Sequence, residues 1–193
     1  MARSKEFDEH DVLLKAMRLF WEQGYEKTSL QDLVTHMGIH RRSLYDTFGD
    51  KHSLFVKAME QYDKQTSAAI KAEVTRGRTS QEAIRFFFDY LIEVNDGRPL
   101  GCLYVNSATE LALRDPEVGE LTNEGFKNEE RFLADLIRKG QQSGEIPLGK
   151  DADQLAASLQ ATMIGIRVLA RTSTDRKKLH RLADASVAML DAP

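Results

Sequence analysis

The sequence predicts an all-α fold of about nine helices, and three observations carry that prediction. Apolar residues recur at i, i+3, i+4 and i+7 along almost the whole chain, the spacing of a helix with one buried face. Side-chain caps, glycines and prolines punctuate the pattern where one helix should end and the next begin. No stretch alternates apolar and polar residues in the way a half-buried strand does.

Helix 1 is expected over about Asp8 to Gln23, burying Leu13, Ala16, Met17 and Phe20, with Gly24 ending it. Asp8, Glu9 and Asp11 complement the dipole at its first turn. Trp21, beside Leu19, Phe20 and Tyr25, reads as core. Thr28 with Gln31 reads as a capping box opening helix 2, whose stripe is Leu30, Leu33, Val34 and Met37. Gly38 stops that helix because glycine enters the left-handed conformation without penalty. Helix 3 follows at once, with Ile39, Leu44 and Phe48 on its buried side. Asp50 caps helix 4, which carries Leu54, Phe55, Ala58, Met59 and Tyr62 and runs toward Val74.

The segment Thr75 to Arg78 breaks the helical pattern, and Thr79 with Glu82 forms the next capping box. The helix it opens is apolar on two faces, Phe86, Phe87, Tyr90 and Leu91 on one and Ile84, Phe88 and Ile92 on the other, so neighbours should enclose it. Asn95 to Pro99 is a loop. A shorter helix is expected over Gly101 to Leu113. Asp115-Pro116 then opens a longer one, with Pro116 in its first turn, ending near Gly140 or Gly144. Two last helices are expected over about Asp151 to Arg171 and Asp175 to Leu190.

The polar side of helix 3 carries the clearest functional signal: His40, Arg41, Arg42, Ser43 and Tyr45. A guanidinium pairs with guanine O6 and N7 together, and a short helix bearing such groups fits a DNA major groove. Arg41 and Arg42 are the candidates for base contacts; Ser43 and Tyr45 would reach base or phosphate. Thr28, Thr47 and Lys51 would clamp the backbone, Thr28 and Lys51 at helix starts whose positive ends favour phosphate. Arg3 and Lys5 are candidates for a minor-groove arm.

The run Gly38 to Phe55 fills the pattern G-[IV]-x-x-x-[ST]-L-Y-x-x-F-x-x-K-x-x-L-[FY], and LFWEQGYEKTSLQDLV precedes it. Across about Val12 to Phe55 the chain resembles the tetracycline-repressor (TetR/AcrR) family of transcription regulators. The resemblance implies an N-terminal three-helix helix-turn-helix domain, about residues 1–52, and a C-terminal helical bundle for effector binding and dimerisation, about residues 53–193. It implies a homodimer on a palindromic double-stranded DNA operator, released when a small molecule, apolar or aromatic, binds the second domain. Two positions depart from the family pattern. His40 stands where a serine or threonine cap is usual, and Asp46-Thr47 replaces an aromatic or histidine pair, which bears on the operator sequence read.

Bulk charge gives this reading no help. The chain carries a formal net charge of −3, and residues 1–55 hold eight basic side chains against nine acidic, so no basic domain is present. A helical ligand-binding or interaction module that no longer reads DNA is the alternative consistent with that balance. No apolar run approaches the roughly 20 residues of a membrane span, the N-terminus lacks a hydrophobic signal core, and a single cysteine cannot form an internal disulfide. A cytoplasmic protein is expected. No nucleophile elbow, phosphate loop or zinc motif is evident, so neither catalysis nor a cofactor is expected. His36 and His40 are four apart, but Gly38 between them places them on different helices, which argues against a metal site.

In the second half, Phe87, Tyr90, Cys102 and Phe126 are candidates for the walls of an effector pocket, with Asn106 and Glu110 as its polar groups. Cys102 follows Gly101 at a helix start, where a dipole favours the thiolate. A thiol switch sensing oxidants or electrophiles is one reading, and a buried small hydrophobe the other. Leu155, Leu159, Met163, Ile166 and Leu169, then Leu179, Leu182, Val187 and Leu190, line the last two helices. Ala156, Ala157, Ala161 and Gly165 permit close approach, so this pair of helices is a candidate for the dimer that the resemblance implies, with packing against the three preceding helices as the alternative.

Overall fold

The computed structural model describes residues 7–74, 76, 78–93 and 97–191. Among them are nine α-helices: α1 Glu9–Gln23, α2 Leu30–Met37, α3 Arg41–Phe48, α4 Lys51–Val74, α5 Ser80–Ile92, α6 Leu103–Glu110, α7 Pro116–Gln142, α8 Ala152–Thr172 and α9 Arg176–Val187, with a 3-10 turn at Ala188–Leu190. No strand occurs among the described residues. Of the breaks expected from sequence, Thr75, Gly77, Asn95 and Asp96 lie outside the described residues, as do Arg3 and Lys5 of the expected arm.

The caps explain most boundaries. Asp8 accepts from the backbone N–H of His10 at 2.8 Å and Asp11 at 3.1 Å, and Asp50 accepts from Ser53 N–H at 2.7 Å. Thr79 and Glu82 form the expected box, and Asp115 with Pro116 starts α7. The start of α2 is one residue away from expectation. Ser29, not Thr28, is the N-cap, and Asp32 rather than Gln31 completes the box. The reason is that Thr28 is fully buried and its hydroxyl donates to Gly24 O at 2.6 Å. Helix 6 is shorter than Gly101–Leu113, because Cys102 is its extended N-cap and the chain turns after Glu110. On α1 the buried stripe includes Val12, while Leu13 is only partly covered.

Two apolar clusters form. The first joins α1 to α4 with α6 and Val118 and holds Phe20, Leu33, Leu44 and Phe55. The second joins α5, α7, α8 and α9 around Phe88, Leu133, Ile137, Leu159 and Met163. Burying each such side chain stabilises the fold by about 1.5–3 kcal/mol. Helix α4 serves both, giving Leu54 to Tyr62 to the first cluster and Ile70 to the second. Leu159, Met163 and Ile166 of α8 are thus spent on internal packing. The face of α8 left outward carries Ala157, Ala161 and Val168.

Candidate nucleic-acid interface and buried cavity

Helices α2 and α3 are joined by Gly38, whose φ of 71° and ψ of 32° place it in the left-handed region that glycine tolerates best. Leu44 and Phe48 bury one side of α3 and so fix the direction of the other. Arg41, Arg42 and Tyr45 face outward, Tyr45 with 41% of its surface exposed. The Arg41 guanidinium lies 5.8 Å from the Tyr45 ring centroid, and Arg42 pairs loosely with Asp46 at 3.6 Å. Both contacts lie along the same helix surface, where an exposed pair contributes little, so both guanidiniums stay available to a partner.

The remaining reader candidates divide. His40 occupies the N-cap of α3 without a side-chain cap bond and is exposed. Ser43 and Thr47 are half-buried on the flanks. Lys51 opens α4 with its ammonium 4.2 Å from the Tyr25 ring, held near the helix start by a cation–π contact. Thr28 does not face outward, so its expected role as a phosphate clamp is corrected: the side chain is a buried brace for the turn after α1.

The turn after α1 is bound to the second half of the chain. Glu110, at the end of α6, accepts from Tyr25 N–H at 3.1 Å and Glu26 N–H at 2.8 Å. Asn106 Nδ2 donates weakly to Trp21 O at 3.4 Å. These two residues were expected in the effector pocket, and that expectation is corrected: their side chains point to the reader. Spacing put them on one helix face but could not say which neighbour that face meets. His52 Nε2 lies 2.7 Å from Asp115, the N-cap of α7. Burial raises the Asp115 pKa, but hydrogen bonds from Val118 N–H and His52 outweigh it and hold the carboxyl below its ordinary value.

A cavity of about 110 Å³ opens between α4, α5, α6, α7 and α8. Phe87, Cys102 and Phe126 line it, and Phe132, Tyr104 and Tyr62 complete its aromatic wall. Tyr90 does not; it lines a neighbouring hollow with Trp21 and Arg98, whose guanidinium is 4.2 Å from its ring. Cys102 is 4% exposed. Sequence reasoning missed Arg167 of α8, which is 4% exposed and makes a two-pronged contact with Glu129 of α7 at 3.1 and 3.0 Å. Burial pushes its pKa down, yet the Glu129 carboxylate wins and the guanidinium is held more firmly charged than usual. The only signal in the sequence was an arginine inside an apolar helix, and nothing in the spacing links it to Glu129. Burial, with Cys102 nearby, raises the Tyr62 phenol well above its ordinary value.

Residues 80–186 match the tetracyclin repressor-like C-terminal domain, and residues 12–58 match the bacterial regulatory proteins of the tetR family. The chain belongs to the tetR family. It is a DNA-binding transcriptional regulator, and the alternative of a module that no longer reads DNA loses its support. Among curated relatives, the uncharacterized HTH-type transcriptional regulator YezE of Bacillus subtilis is 37% identical, covering 99% of this chain and 100% of that protein. The HTH-type transcriptional repressor ComR of Escherichia coli is 30% identical, covering 97% of this chain and 90% of that protein. The tetR-family regulator CifR, solved as a cysteine mutant on a 26-base-pair operator duplex, superposes with a TM-score of 0.87 at 25% identity, covering 97% of this chain and 99% of that one. Among the described residues, no group of three His, Cys, Asp or Glu is placed to hold a metal, and no helix is long and apolar enough to cross a membrane.

Proposed function

We propose that the chain is a homodimeric repressor that leaves a palindromic operator when a small apolar or aromatic molecule enters the cavity. Residues of about 1–52 act as reader and 53–193 as effector and dimer half. Arg41 and Arg42 contact base edges, Tyr45 and Ser43 base or phosphate, and Lys51 and Thr47 the backbone. The observation that carries the reading is that the reader is bound to the cavity wall itself. Tyr62 lines the cavity and packs against Trp21 of α1, and Glu110 of α6 holds the turn that precedes α2. A ligand that displaces Tyr62 or α6 would rotate the reader. Two readers matched to half-sites one helical turn apart lose that match after a small rotation. The outward face of α8, with Ala157, Ala161 and Val168, supports its use against a second copy.

The test is selection of duplexes from a random pool at physiological salt, with the Arg41→Ala/Arg42→Ala variant in parallel. Enrichment of a palindrome by the native chain, lost in the variant, is the expected result. Equal enrichment by both would remove these arginines from the reading role.

A further inference from the structure

We infer that the occupant of the cavity is a compact, uncharged aromatic molecule with one hydrogen-bond acceptor, and that Nε–H of Arg167 donates to this acceptor. This rests on the ligand-responsive reading above. Size comes first. At about 110 Å³ the space is of the order of the ~150 Å³ cavities that admit benzene, so it suits one ring and a short substituent. Shape and polarity come next: Phe87, Phe126, Phe132 and Tyr104 supply ring faces and edges, against which an aromatic ring stacks favourably.

Charge then excludes the ionic alternatives. The charged groups at the wall are Arg167 and Lys71 against Glu129 and Asp63, two of each sign. Both terminal nitrogens of Arg167 are taken by Glu129. A carboxylate would sit beside the carboxylate of Glu129, which already balances the charge of this guanidinium. An ammonium would be stripped of water next to a buried guanidinium. One nitrogen of Arg167 is still without a partner. Its Nε is buried and has no hydrogen-bond partner; among the described residues, the only other such side-chain atom is Nε1 of Trp21, which lines the neighbouring hollow. A buried donor without an acceptor is costly, and a donor on a charged group binds a carbonyl-type oxygen more strongly than a neutral donor does. The Tyr62 hydroxyl, already in contact with Thr66 and Cys102, is a second polar atom at the same wall.

Calorimetry on the full chain without DNA tests this with four probes of one ring each: acetophenone, ethylbenzene, benzoate and benzylamine. Acetophenone should bind on the order of fivefold or more tighter than ethylbenzene, the ratio one net hydrogen bond gives, and both ions more weakly still. In Arg167→Met/Glu129→Met the preference for acetophenone over ethylbenzene should vanish while ethylbenzene still binds. Equal affinity for the two neutral probes, tighter binding of either ion, or no binding of any probe up to its solubility would overturn the inference. A preference that survives in the double variant would do the same. The wild-type probe series decides the matter if that variant does not fold. Because no operator is present, failure here is separate from failure of the DNA-reading proposal.

Discussion

The Tyr62 ring meets Trp21 edge-on, with centroids 4.8 Å apart and planes at 84°, and it also stacks on Tyr104 at 5.8 Å and 25°. One side chain therefore touches both α1 of the reader and the wall of the cavity. Trp21 is the single tryptophan of the chain, so its emission reports on this junction. Filling the cavity should change that emission. Tyr62→Leu should retain operator binding but largely remove the fluorescence response; an unchanged response would show that the junction runs elsewhere.

Glu110 is the second tie. Replacing it with alanine leaves the N–H groups of Tyr25 and Glu26 without their acceptor, a loss of about 1 kcal/mol for partly exposed bonds, readable in urea unfolding. Gly24→Ala should cost at least as much. A Cβ there would stand 2.8 Å from Glu110 Oε2, on a backbone with φ of 85°. Both variants should bind DNA and respond weakly to ligand.

The pair of buried Arg167 and half-buried Glu129 behaves differently when broken and when removed. Arg167→Met alone strands the Glu129 carboxylate and should destabilise the chain by about 3–5 kcal/mol. Arg167→Met/Glu129→Met should recover most of that loss, because two apolar side chains need no compensation. Equal losses for the single and double variants in denaturant titrations would refute the pairing energetics.

Much of this fold could be read from the chain, and the limits are instructive. Helices with side-chain caps, such as Asp50 and Thr79, stand where the sequence puts them because the cap is a local interaction. At α2 the local rule was right but its residue was not, since Thr28 was taken into the core and left Ser29 as cap. The cavity was only half legible. Phe87 and Phe126 follow from apolar patterning, whereas Arg167–Glu129 and the turn of Glu110 toward Tyr25 and Glu26 depend on which helix packs beside which. That is a property of tertiary contacts, carried by no spacing within one helix.

Acid should unfold the chain through its caps. Hydrogen bonds lower the pKa values of Asp32, Asp50 and Asp115, as does His180 for Glu93. A carboxyl depressed in the folded state stabilises it above the unfolded value, and that contribution is lost as pH falls through the folded value. Stability should therefore be flat through neutral pH and fall below about pH 4. Asp115→Asn should flatten that fall while lowering stability at pH 7, measured by thermal unfolding across pH.

Cys102 lines the cavity yet is nearly covered. Alkylation of the native chain by a thiol reagent should be slow and slower still with acetophenone bound, as read by mass spectrometry. Rapid modification that also releases DNA would favour the thiol-switch reading.

The most direct test is a titration of labelled operator, taken from the duplex selection, with and without saturating acetophenone. Coupling of ordinary size predicts that the operator Kd rises by about 5- to 150-fold, and that operator weakens acetophenone binding by the same factor. An unchanged operator Kd, with calorimetry showing the cavity filled, would contradict the claim that the cavity governs the reader.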